Sequence, residues 1–331
     1  MTSTSRLLSN CMISSRISAS VHTHFRKFSI SSRHNITKLR VGFVPEHFST
    51  PLYFAHKHFG LNAELIPEPL GTGALASRLK AGVHEETRVD VAIGLTEGFV
   101  SDLGKSKAAG QNTRYGLVGT YVESPLCWAI STGKERDDIR DVDSLQGKRV
   151  GVSRMGSGSF IMSQVLADQK GWLRLGQQPF QPEVIGDFAA LRKAVRLEGS
   201  RGADFFMWEH FTTKYYWDNG ELKRIGEIYT PWPSWMIAAR DGAQVDEMLD
   251  KINAGVKYYL KNEEEAVEHI TNAMHYSKED AKAWMETVRF AGNVRGVDPM
   301  VVGRTAGLLR KAGALEDDAG AGGFMVAIRR A

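Results

Sequence analysis

Two short segments place acid, base and ring side by side. Glu46-His47-Phe48 and Trp208-Glu209-His210 each pair Glu with His next to an aromatic residue. Imidazole can hydrogen-bond a ring or move a proton near neutral pH. Phe48, Trp208 and Trp232 can stack on a flat heterocycle, and two His with two Glu are also a metal-ligand set. The dipeptide recurs as Glu268-His269 on an expected surface helix, so a purely structural role stays open. A third segment, Gly156-Ser157-Gly158-Ser159, follows Arg154 and opens a helix. The first four amides of a helix lack internal partners and its dipole favours an anion, while Arg154 adds a full charge. The same Ser and Gly also suit a capped helix after a tight turn. Thr72 and Gly73 in Gly71-Thr72-Gly73, and Thr96 and Glu97 in Thr96-Glu97-Gly98, are comparable loops earlier in the chain. Each can cap a helix or contact a ligand.

The elements that must position these loops alternate. Leu39–Val44, Ala63–Pro67 and Val89–Gly94 read as short apolar strands, each followed by a polar loop and an amphipathic stretch. Gly147–Val152, Pro182–Ile185 and Ala203–Trp208 repeat the pattern, with Asp187 as an N-cap. Strand, loop and helix in repetition predict parallel sheets with crossover helices, whose ligands gather at the carboxyl ends of the strands. Two further segments match each other. Tyr121–Pro125 leads into an apolar run from Leu126, and Tyr229–Pro233 into one from Ser234. They are expected to form paired strands by which the chain leaves the first lobe and returns. Val245 onward reads as helical, with a helix start at Ser277.

Charge divides the chain. The first 40 residues hold seven basic side chains and no acid, whereas the remainder holds 35 Lys and Arg against 38 Asp and Glu. Basic, Ser-rich and acid-free is the composition of an organelle transit peptide. Arg26-Lys27-Phe28-Ser29-Ile30-Ser31 resembles a mitochondrial cleavage pattern, giving expected mature starts at Phe28 and then Ile36. A disordered basic tail is the alternative. The body is not a nucleic-acid binder by charge, and no apolar run is long enough to span a membrane. Beyond the leader only Cys127 remains, which excludes an internal disulfide or a cysteine cluster there.

The order of Val41-Gly42-Phe43-Val44-Pro45, Pro69-Leu70-Gly71-Thr72-Gly73, Asp90-Val91-Ala92-Ile93-Gly94, Leu145–Val152 and Ala203-Asp204-Phe205 resembles the sulfonate, taurine and nitrate binding proteins and the related thiamine-pyrimidine binding proteins. The similarity covers roughly residues 38–310 and points to a fungal subfamily. It implies an α/β, two-lobed type II periplasmic-binding-protein fold with two crossing hinge segments. The expected boundaries are a leader over 1–35, lobe 1 over 36–125 and 234–331, and lobe 2 over 126–233. It further implies a protein that closes its lobes on a small anionic or heteroaromatic metabolite. The alternative is a metabolic enzyme related to thiamine-pyrimidine precursor synthesis, whose cysteine-rich iron motif this chain lacks. The expected ligand contacts are Glu46, His47, Phe48, Thr72, Gly73, Thr96, Glu97, Arg154, Gly156, Ser157, Gly158, Ser159, Trp208, Glu209, His210 and Trp232. No catalytic residue, cofactor, metal or transporter partner is assigned, and the expected location is the mitochondrial matrix.

Overall fold

Val41 and Phe43 of β1 (Leu39–Phe43) are fully buried, as suits a short apolar strand covered on both faces. The computed structural model describes residues 38–173, 178–199, 202–316 and 322–330. The leader expected over 1–35 lies outside them. After β1 a single 3-10 turn over His47–Ser49 leads into α1 (Thr50–Phe59). There follow β2 (Ala63–Pro67), α2 (Thr72–Lys80), β3 (Val91–Leu95), α3 (Thr96–Ala108) and β4 (Tyr115–Val122). The chain then crosses to a second sheet through β5 (Cys127–Gly133), β6 (Arg149–Val152), α4 (Gly158–Gln169), β7 (Gln181–Val184), α5 (Phe188–Val195), β8 (Phe205–Glu209), α6 (His210–Asp218) and β9 (Leu222–Tyr229). It returns with β10 (Trp235–Arg240) and continues as α7 (Asp246–Lys261), α8 (Glu263–Ala273), α9 (Lys278–Thr287) and α10 (Pro299–Lys311).

Two five-stranded mixed sheets result. Their orders are β2-β1-β3-β10-β4 and β7-β6-β8-β5-β9. In each, three strands run parallel through helical crossovers, and the strands flanking the lobe junction run antiparallel. This is the two-lobed α/β architecture expected. One detail differs. The apolar runs after the two Tyr-x-x-x-Pro segments do not pair with each other, because β5 belongs to the second sheet and β10 to the first. The crossing segments themselves are tied instead. The Leu126 amide donates to Thr230 Oγ1 at 2.9 Å, the Thr230 amide to the Leu126 carbonyl at 3.0 Å, and Ser234 Oγ to the Ser124 carbonyl at 2.7 Å. Side-chain hydroxyls, one accepting and one donating, take the place of ladder bonds where the backbone must bend.

The helix starts at Asp187 and Ser277 are capped as their residue types predict, with side chains accepting from Ala190 and Asp280 amides. One hydrophobic core runs through both sheets, with a smaller cluster beneath α5. Among the described residues no helix is long and apolar enough to cross a membrane.

Candidate functional site

The lobes meet over a cleft of about 220 Å³ at the carboxyl ends of the parallel strands. One end is built for negative charge. Ser157 caps α4, accepting from the Phe160 amide at 3.3 Å, and its hydroxyl lies 2.9 Å from that of Ser159. Arg154, five residues before Ser159, lines the same wall. Burial pulls its guanidinium below the ordinary value, although arginine remains cationic. Its Nε has no hydrogen-bond partner, and among the described residues it makes no ion pair. Across the cleft, Thr72 Oγ1 accepts from the Leu95 amide at 2.8 Å, which leaves the hydroxyl proton free to donate.

The other end carries two carboxylates from different lobes. Burial, followed by the nearby charge of Glu209, pushes Glu46 up to about 8, against a hydrogen bond from the Trp208 side chain. Burial alone would also raise Glu209. There the nearby His47 imidazole, with the Thr212 and Phe211 amides, outweighs it and holds the carboxyl below its ordinary range. One carboxyl therefore keeps its proton near neutral pH while its neighbour is ionised, as expected of two acids sharing a site.

Between these ends the wall is aromatic. Trp128, Phe188, Trp208 and Trp235 line it together with Leu95 and Leu126. Phe188 and Trp208 stack with ring centroids 5.1 Å apart. The indole N–H groups of Trp128 and Trp235 are buried without a hydrogen-bond partner. Unpaired buried donors are costly.

Eight of the sequence-expected residues line this cleft: Glu46, Thr72, Arg154, Ser157, Gly158, Ser159, Trp208 and Glu209. The others lie elsewhere. His47 is fully buried, packed against Phe48, Tyr276 and Trp284, with Nε2 3.7 Å from Glu209. Phe48 packs on Trp235 in the core rather than offering a stacking face. Gly73 lies under the Arg154 guanidinium and Gly156 beside the Lys105 amine. Thr96 does not cap its helix; its hydroxyl donates to the Pro233 carbonyl instead. Trp232 donates to Oε2 of the buried Glu97 at 2.9 Å, away from the cleft. His210 faces a separate cavity.

Trp128, Trp235 and Phe188 were not expected. The two tryptophans sit within apolar runs that read as strand interior, and Phe188 follows an N-cap as a core residue would. The available signal was position, since each tryptophan stands within three residues of a crossing segment.

Residues 128–228 match the family model described as Ca3427-like PBP. A solved structure of the Candida albicans CA3427 gene product, described as defining a new family with the generic periplasmic binding protein fold, is 42% identical, covers 85% of this chain and 92% of its own, and superposes with a TM-score of 0.75. The alkanesulfonate-binding protein SsuA from Xanthomonas axonopodis pv. citri, bound to MOPS, shares the fold at 13% identity, 85% and 94% coverage and a TM-score of 0.64. The periplasmic nitrate-binding protein NrtA from Synechocystis PCC 6803 does so at 13% identity, 88% and 85% coverage and 0.65. No curated protein matches. By its identity to the Candida protein along most of both chains, the chain belongs to the CA3427 family of proteins with the periplasmic binding protein fold.

Proposed function

We propose that the cleft binds a small, flat, nitrogen-containing heteroaromatic compound carrying an oxyanion. The observation that carries this reading is the unpaired Arg154 guanidinium beside the capped N-terminus of α4. A partly buried cation with no carboxylate among the described residues within ion-pair distance, only the more remote charge of Asp102, is best satisfied by an anion from outside. The aromatic wall suits a ring. At the opposite end the Glu46 and Glu209 pair suits ring or exocyclic N–H donors, which would relieve the repulsion of two facing carboxyls. Import into mitochondria is part of the same reading, supported by the basic, acid-free first 40 residues. Cell fractionation with sequencing of the mature N-terminus tests it.

The binding test is native mass spectrometry of the protein purified from its own cells, before and after mild denaturation. It is followed by thermal shift with heteroaromatic carboxylates, sulfonates and phosphates. A true ligand at 100 times its dissociation constant adds roughly 2.7 kcal/mol. Arg154→Met should remove the response to every anion. If anions stabilise Arg154→Met as well as the parent, the reading fails.

A second reading, a metabolic enzyme on this scaffold, is favoured by Glu46 holding a proton near neutral pH beside an ionised neighbour, an arrangement that suits acid–base work. Turnover of the bound compound, rather than its stoichiometric release, would select it.

A further inference from the structure

A second cavity, of about 490 Å³, borders the cleft at Leu126 and Glu209 and runs along the crossing segment Ser124–Leu126. Three side chains converge in its wall. Cys127 opens β5 and Glu227 lies on β9. The antiparallel register pairs Cys127 with Tyr229 and Ala129 with Glu227, which puts Cys127 and Glu227 on one face of the sheet, one diagonal apart. On the other side of β5, Trp128 pairs with Glu209, the last residue of β8. His210, the next residue, begins α6 and comes in beside Cys127.

The three donor atoms are spaced almost evenly. Cys127 Sγ is 3.8 Å from His210 Nδ1 and 3.6 Å from Glu227 Oε2, and His210 Nδ1 is 3.6 Å from the same oxygen. The His–Glu separation is too long for a hydrogen bond. It is close to the edge of a coordination tetrahedron. Bonds of about 2.3 Å to sulfur and about 2.0–2.2 Å to nitrogen and oxygen give edges of roughly 3.4–3.6 Å. We propose that Cys127, His210 and Glu227 form a binding site for a borderline-soft divalent cation of the zinc class, with its fourth position open to the cavity.

The chemistry of the set agrees with the spacing. Thiolate and imidazole select zinc-like cations over magnesium or calcium. Thiolate and carboxylate together neutralise a dication. Arg224 Nη1 also donates to the same Glu227 Oε2 at 2.5 Å, and the Tyr229 hydroxyl donates to Oε1 at 3.2 Å. These contacts orient the carboxylate, which has lone pairs enough to serve a cation as well. Binding breaks the S–H bond and forms a sulfur–metal bond. The single proton leaves to solvent, and nothing is oxidised or reduced.

Cobalt(II) reports on the sulfur directly. The full-length chain would carry Cys11→Ser, which leaves Cys127 as its one thiol, and be titrated with Co²⁺ and then Zn²⁺. The expected result is a thiolate-to-cobalt charge-transfer band that saturates at one equivalent and is bleached by zinc. Calorimetry in buffers of different ionisation enthalpy should show about one proton released per cation. Cys127→Ser should abolish the band. His210→Gln and Glu227→Gln should each weaken zinc by at least about tenfold, with circular dichroism and melting temperature showing that the fold is kept. Absence of a band at one equivalent, a band that persists in Cys127→Ser, or unchanged zinc affinity in Glu227→Gln would each overturn the assignment.

Discussion

The guanidinium of Arg154, on the second lobe, occupies the space above Gly73 on the first; a Cβ built on Gly73 would lie 1.5 Å from Arg154 Nη2. The Arg154 guanidinium can lie there because residue 73 has no side chain. Gly73→Ala should therefore separate two properties. It adds a helix former near the start of α2, so stability should hold or rise by up to about 1 kcal/mol. It also pushes Arg154 off its seat, and anion affinity should fall about tenfold, which is ~1.4 kcal/mol. Melting temperature and calorimetric titration on the same sample check both. Affinity that stays unchanged would mean that Arg154 is not the anion seat.

Glu46 makes binding pH-dependent. If the ligand donates N–H groups to this carboxylate, binding draws on the ionised form. The free carboxyl titrates at about 8, so affinity should climb as pH rises from 6 to 8 and level off above. Glu46→Gln should flatten the climb. Titrations across that range, with a ligand whose own charge is constant there, decide the matter. A falling curve would mean that the protonated acid, as donor, is the form that binds.

Glu97 makes folding pH-dependent independently of any ligand. Burial raises its carboxyl to about 7 despite hydrogen bonds from its own amide and Trp232, and Oε1 has no partner. The folded state thus keeps a proton that the unfolded chain releases near pH 4.5. The stability this contributes is full below 4.5 and is lost as pH rises through 7. At ~1.4 kcal/mol per pH unit the loss is about 3 kcal/mol. Glu97→Gln keeps an acceptor for the Trp232 indole and removes the titration. Its urea-unfolding free energy should fall less than the parent's between pH 5 and 8. Parallel curves would show that Glu97 is ionised at all these values.

The strands were legible because short runs such as Val41–Val44 and Val91–Ile93 are apolar on both faces and end in polar loops, a pattern that needs no tertiary knowledge. The order of these units was enough to reach the family. The contacts made by closure were not legible, since no local pattern says that Gly73 will lie under Arg154 or that Glu46 will approach Glu209. Adjacent residues also part company at element boundaries. Glu209 ends β8 and borders both cavities, whereas His210 starts α6 and lines only the second. A matched pair of Glu-His dipeptides therefore does not become a matched pair of sites. Phe48 and Trp232 show the limit for aromatics. A ring after a strand end suits a ligand wall and a core equally, and only packing separates the two.

The last prediction concerns what holds the lobes together. The Tyr276 hydroxyl, from the loop before α9, is hydrogen-bonded to His47 Nδ1 and lies 2.8 Å from Thr212 Oγ1 on the second lobe. The ionised Glu209 approaches the other ring nitrogen of His47, so one phenol links a first-lobe histidine to a second-lobe helix. A partly buried ion pair between Lys214 and Asp280, at 3.1 Å, lies near the same junction. Tyr276→Phe removes two hydrogen bonds but keeps the ring that packs on His47. Net hydrogen bonds are worth about 1 kcal/mol each, and part of that loss falls on the contact between lobes rather than on either lobe's own core. The expected outcome is a larger radius of gyration by small-angle scattering, with a melting-temperature loss of only a few degrees. Affinity should drop about five- to tenfold, mainly through faster dissociation. If Tyr276→Phe loses stability but keeps the radius and the dissociation rate, the phenol serves the core and closure rests on the anion end alone.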